Sequence, residues 1–245
     1  MFPTSQVSSR VVPKQAAWLA AALLLVGALS GCSALHTINK VRHAVDANRQ
    51  IVNTFTQGLK SSKATPFQAT YVTTGNSPTT VTYAVQPPKD VAFSETAANN
   101  SNGTADLDLV SNANGEYSCT SDSGSASWSC QKLSKVEALA QNQIVNLYTP
   151  SHWIAILDGL SFVEGIEGDA VTASTLTVNG FAMKCVDFTQ KGVKGKSTIC
   201  TTAQNILGYV KAAGNSTSFE IKSYSSSPSA SAFQLPAGAK ITNQK

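Results

Sequence analysis

The chain has 245 residues, a formal charge of +4, 13% charged side chains and 42% hydrophobic ones. That length allows one large domain or two small ones, and the hydrophobic content excludes wholesale disorder. So near-neutral a balance argues against a nucleic-acid partner, and a composition rich in Ser, Thr, Asn, Gln and Gly suits exposed sheet faces and loops.

The first element in chain order is an export signal. Arg10 and Lys14 precede an uncharged run from Ala16 to Ala28 that carries Leu19, Leu23, Leu24, Leu25 and Val26, and no acidic residue occurs before Cys32. A positive start, a short apolar core and small residues at its end mark a secreted chain. The run of about 13 residues is too short to span a bilayer, which takes ~20. Leu29-Ser30-Gly31-Cys32 then resembles the lipobox of bacterial lipoproteins. The resemblance implies a diacylglyceryl thioether on Cys32, a mature chain that begins there, and a lipid anchor on the extracytoplasmic side of the cell membrane. The alternative is an ordinary secretory signal with a cysteine placed by chance. Residues 1–31 hold two of the 18 basic side chains and none of the 14 acidic ones, so the expected mature domain, 32–245, has a formal charge of +2.

Leu35, Ile38, Val41, Val45, Ile51, Val52, Phe55 and Leu59 fall mostly three or four apart, which predicts an amphipathic helix over 35–60. Its apolar stripe is aliphatic and its polar face only weakly basic, so packing on a core is favoured over lying on a membrane. After Pro66 the period drops to two, through Phe67, Ala69 and Tyr71, then Val81, Tyr83 and Val85, then Leu107 and Leu109, with turns at Gly75-Asn76-Ser77-Pro78 and Pro87-Pro88. Short alternating runs joined by turns predict an antiparallel meander over 66–132 with one wet face.

Ser134-Lys135-Val136-Glu137 matches a capping box, and Thr149-Pro150 a cap followed by proline at the first helical position. Two helices are therefore expected over 134–158, the second ending at Gly159. Alternation returns for further strands over 170–236, closed by a short piece at Phe233-Gln234-Leu235-Pro236. No repeat and no break in composition divides residues 32–245, so a single domain is expected. The fold class is α+β: one antiparallel sheet of about ten strands, with an N-terminal helix and a central helix pair to cover it. A sheet that wide curls rather than staying flat.

With Cys32 set aside for lipid, four cysteines remain. Cys119 and Cys130 flank a Ser/Gly-rich loop, and Cys185 and Cys200 flank one centred on Lys191-Gly192-Val193-Lys194-Gly195-Lys196. Opposed residues of antiparallel neighbours stand roughly 4.5–5.5 Å apart at Cα, a gap that a disulfide spans. The pairs Cys119–Cys130 and Cys185–Cys200 are therefore expected, each stabilising by roughly 3 kcal/mol. A metal site would want close CxxC pairs or adjacent histidines, and the sequence has neither.

No catalytic constellation stands out. His36, His43 and His152 share no ligand spacing with a cysteine or carboxylate. Ser129-Cys130-Gln131-Lys132 matches Ser-x-x-Lys only by letters, since that motif belongs on a helix with companion motifs. Asp158, Glu164, Glu167 and Asp169 lack the alternating pattern of a calcium loop and read as a solvated turn. Lys191, Lys194 and Lys196 form a basic hairpin tip, for which plain solubility competes with contact to anionic headgroups or wall polymers. No cofactor is expected and the chain is read as non-enzymatic.

The order helix–strands–helices–strands behind a lipobox resembles the lipoprotein-carrier superfamily, including lipid-binding lipoproteins of mycobacteria and other actinobacteria. Phe233-Gln234-Leu235-Pro236-Ala237-Gly238-Ala239 is similar to the final strand of such proteins. The resemblance implies a half-barrel sheet holding acyl chains beneath its helices, with a lipid-like molecule as ligand and the membrane as partner. The alternative is an envelope lipoprotein with a filled core that docks on a protein or wall partner.

Overall fold

The computed structural model describes residues 35–62, 65–75, 78–97, 106–121, 127–167 and 170–242. Residues Leu35–Lys245 form one compact unit. Its first element, α1 (Leu35–Ser61), has 27 residues. Val52, Thr56 and Leu59 are fully buried on one side of it, at the i, i+4, i+7 spacing of a single helix face. Lys60 lies in its last turn, where a cation complements the helix dipole. The hydroxyls of Ser61 and Ser62 donate to the carbonyls of Gly58 and Leu59, taking up acceptors that the helix end would otherwise leave open.

After α1 the chain lays down β1 (Phe67–Thr73), β2 (Thr79–Gln86), β3 (Asp90–Ala97), β4 (Asp106–Asn112), β5 (Gly115–Ser121) and β6 (Trp128–Lys132). The helices α2 (Lys135–Asn146) and α3 (Pro150–Glu167) follow. The second run of strands is β7 (Ala170–Val178), β8 (Phe181–Thr189), β9 (Ser197–Thr202), β10 (Leu207–Lys211), β11 (Ser218–Ser225) and β12 (Lys240–Thr242). All twelve make one open sheet in the order β12-β6-β5-β4-β3-β2-β1-β11-β10-β9-β8-β7. Every pairing is antiparallel except β12 with β6. The fold is thus α+β with one wide, mostly antiparallel sheet that does not close into a barrel.

Two meanders of local hairpins meet at one long-range joint, β1 against β11, where the register slips at Thr70/Tyr71. Directly paired residues share a face. One face carries the row Ala69, Tyr83, Phe93 and Leu109; we call it the aromatic face. The other carries Thr70, Thr82, Ser94, Asp108 and Cys119; we call it the hydroxyl face. Helices α1 and α3 pack on each other, α1 also reaches β7 and β8, and α3 reaches β7.

Three expectations need correction. The sheet has twelve strands rather than about ten. Helix α3 does not stop at Gly159 but runs to Glu167. An interior glycine costs only about 1 kcal/mol against alanine, too little to end a helix by itself. The piece Phe233–Pro236 is not a strand. Ala230–Phe233 is a 3-10 turn capped by Ser229, whose side chain accepts from the Ser231 N–H. Phe233 packs on Ala84 and Ala92, its carbonyl accepts from Asn112, and Pro236 has no N–H to give a ladder. The last strand forms only at Lys240–Thr242, beside β6.

Candidate functional site

Alternation in β1 to β3 delivers Tyr71, Tyr83 and Phe93 to the aromatic face, and β11 adds Phe219. Tyr148, from the turn between α2 and α3, enters this group from above. Its ring centroid lies 5.2 Å from Phe93, 5.4 Å from Phe219, 5.9 Å from Tyr71 and 6.0 Å from Tyr83. Tyr71 and Phe219 stack at 4.6 Å. None of the five rings is more than 8% exposed.

Local capping fixes the turn that carries Tyr148. The Ser134 N–H donates to Glu137 Oε2 at 2.9 Å while the Glu137 N–H donates to Ser134 Oγ at 3.4 Å, which is the expected capping box at the start of α2. The His152 N–H donates to Thr149 Oγ1 at 3.4 Å, capping α3. The Trp153 indole N–H donates to the Leu147 carbonyl and ties α3 back to the turn.

Burial keeps the phenols of this cluster protonated. Burial, reinforced by Tyr83 and Tyr148, pushes the Tyr71 phenol far up, and burial alone takes Tyr83 up to about 12. Burial, with a contribution from Glu95, also raises Tyr148. Glu95 sits opposite Val81 and Leu107, and burial raises its carboxyl too. The phenols are neutral at any physiological pH, so the cluster offers apolar area and polarisable ring faces.

The hydroxyl face holds the cysteines. Cys119–Cys130 and Cys185–Cys200 are both bonded as expected, with Cα atoms 4.0 Å apart in each pair, closer than the spacing anticipated from sequence. Each joins directly opposed residues of neighbouring strands. Cys119 lies opposite Asp108, and Cys200 opposite Tyr209, so both disulfides fall on this one face. Cys32 lies outside the described residues.

The remaining candidates do not converge. His36 and His43 belong to α1 and His152 to α3. The His152 ring makes a perpendicular contact with Trp153 at 5.8 Å, its Nε2 is buried without a hydrogen-bond partner, and burial lowers its pKa. Ser129 and Lys132 lie on β6, not on a helix, and Lys132 donates to the Asn114 carbonyl. Among the described residues no group of three or more His, Cys, Asp or Glu is placed to hold a metal ion. Of the basic tip, Lys196 is committed to Asp187 at 2.6 Å.

Two clefts open on the hydroxyl face. One, of about 460 Å³, lies among Ser174, Asp187, Lys196, Thr198, Tyr209 and Lys211. The other, of about 440 Å³, runs between Ala84, Ser94 and Asp108 and the C-terminal residues Ser231, Leu235 and Pro236. Sequence reasoning missed Tyr148 and the Asp187 network. The first had a signal in its position at the break between two helical patterns. The second depends on partners drawn from three strands.

No protein-family profile matches the chain, and no curated protein matches it. Twenty-one chains of solved structures do. An uncharacterized conserved protein from Thermus thermophilus is 6% identical, with a TM-score of 0.42, over 78% of this chain and 98% of that one. The structure of PNGF-II is 9% identical, with a TM-score of 0.30, over 74% of this chain and 31% of that one. Both scores fall below the level at which a shared fold follows. No described helix is long and apolar enough to cross a membrane.

Proposed function

We propose that this chain is an exported lipoprotein, anchored through Cys32 on the extracytoplasmic side of the membrane, that binds or carries a lipid-like molecule without catalysing a reaction. In this reading the sheet is a half-barrel, with α1 and the α2–α3 pair across its concave aromatic face, and an acyl chain lies against that face. The observation that carries it is α2. Val136 and Leu139 on this helix are 77% and 69% exposed, while Ala138 and Val145 are buried and Gln141 Oε1 is buried without a partner. A short helix with apolar residues on both sides is poorly settled in a soluble protein, and matches a cover that moves off an apolar floor. Tyr148, in the turn that follows α2, is the side chain that such a movement withdraws from the floor.

Mass spectrometry of the purified domain under non-denaturing conditions tests the reading. The expected result is a set of adducts that extract as acyl-bearing molecules. A domain without adducts, which also takes up no fatty acid or phospholipid added in excess, overturns it. Anchoring is tested separately: Cys32→Ser should release the protein from the membrane fraction.

The burial of all five rings favours a second reading, an envelope lipoprotein with a filled core that docks on a partner. Reproducible cross-linking in cells to one protein, with no acyl adduct, supports it over the first.

A further inference from the structure

The Asp187 cleft on the hydroxyl face is independent of any acyl chain on the opposite face. Its floor is a network around one buried carboxylate, 3% exposed. Asp187 Oδ1 accepts from Thr198 Oγ1 at 2.7 Å and Oδ2 from Lys196 Nζ at 2.6 Å, and Ser174 also donates to it. Burial works to raise this carboxyl, but those bonds and the Lys196 charge outweigh it and hold the group below the usual carboxylate range. The glycine loops at Gly195 and Gly214, both at positive φ, close on each other to form one wall.

The hydrogen bonds already made within the network decide what the cleft presents to a ligand. Thr198 and Ser174 commit their hydroxyl hydrogens to Asp187, which leaves their oxygens as acceptors. Lys196 is 55% exposed and keeps N–H groups beyond the one that Asp187 takes. Asn215 Oδ1 accepts the Thr217 N–H at 2.9 Å, which leaves the amide hydrogens as donors. Lys211, opposite Thr198 in register, adds another donor. Tyr209 supplies the aromatic wall. Its phenol O–H pairs with Ser218, whose own hydroxyl donates to Glu220 and also bonds Thr74.

Hydroxyl acceptors and amine and amide donors gathered beside an aromatic ring suit one ligand chemistry. Each sugar hydroxyl both donates and accepts, and the C–H face of a pyranose packs on an aromatic ring. A wholly apolar ligand would leave the polar groups unpaired. A simple anion would meet Asp187, and also Glu220, which faces Tyr209 across the strands. The volume of about 460 Å³ is in the range of small-molecule sites. We propose that this cleft is a saccharide-binding site for one or two sugar rings, with Tyr209 as the stacking platform and Lys196, Lys211, Thr198, Ser174 and Asn215 as hydroxyl partners.

The test is calorimetric titration of the full chain, in a zwitterionic detergent without a sugar headgroup. The probes are glucose, galactose, mannose and N-acetylglucosamine, each also as its disaccharide. At least one should saturate with a Kd of about 1 mM and slow hydrogen exchange in 195–198 and 209–215. Tyr209→Ala should weaken it about tenfold, and Tyr209→Phe much less. Should Tyr209→Ala not fold, Asn215→Ala in the solvent loop should give a comparable loss. The proposal is overturned if no probe saturates at high millimolar concentration. Protection elsewhere in the chain, or full-affinity binding by the folded Ala variants, overturns it equally.

Discussion

Tyr148 and Phe93 meet with ring centroids 5.2 Å apart, tilted at 50°, although one sits in a turn between helices and the other on a central strand. The same phenol packs on Tyr71, Tyr83 and Phe219, so a single side chain fastens the helix pair to both meanders of the sheet. Tyr148→Ala should therefore lower unfolding stability by about 3–5 kcal/mol, the cost of deleting a buried aromatic ring. Denaturant melts followed by circular dichroism measure this. A loss under about 1 kcal/mol would mean that the turn does not hold the helices down.

The disulfides should act independently. They close loops of 11 and 15 residues' separation on different meanders, which share no strand. Replacing either cysteine pair by alanine should cost roughly 3 kcal/mol, and replacing both should cost the sum to within about 0.5 kcal/mol. Denaturant titration of the three variants checks the additivity.

Acid should expose Asp187. Its folded pKa is depressed, so the stability that it contributes is complete above its unfolded pKa, about 3.9, and is lost as pH falls through the lower folded value. The wild type should lose this increment progressively below about pH 4, whereas Asp187→Asn should lack that part of the pH dependence. At pH 7 the variant should be less stable by about 2 kcal/mol, the scale of hydrogen bonds to a charged group. Thermal melts from pH 2 to 7 compare the two.

At the start of α2, Ser134→Ala removes one half of the capping box and should cost about 1 kcal/mol. Because α2 packs only lightly on other elements, the loss should be local. Amide exchange in 135–146 should speed up while the sheet keeps its protection.

What was legible in the sequence was what neighbouring residues decide. The capping box at Ser134 and Glu137 is a three-residue signal, and the cysteine pairs are hairpin partners that register places face to face. Both meanders follow from alternation, which names the buried side chains of each strand. Alternation does not name the strand's partner, so the β1–β11 joint and the gathering of Tyr71, Phe219 and Tyr148 were out of reach. Two local signals misled. Gly159 carries helix because the apolar residues after it continue the pattern, and Phe233 is buried by a turn rather than by a strand. The Asp187 network assembles from β7, β8, β9 and the loop before β9, a convergence that no spacing along the chain encodes.

The most direct measurement is non-denaturing mass spectrometry of the domain purified from cells that make lipid, with extraction and identification of whatever it retains. If α2 covers an acyl site on the aromatic face, as proposed, the domain carries adducts of acyl-chain mass, and a delipidated sample with α2 cross-linked to the sheet takes up none. A single unliganded mass, unchanged after incubation with fatty acids or phospholipids, would contradict the account.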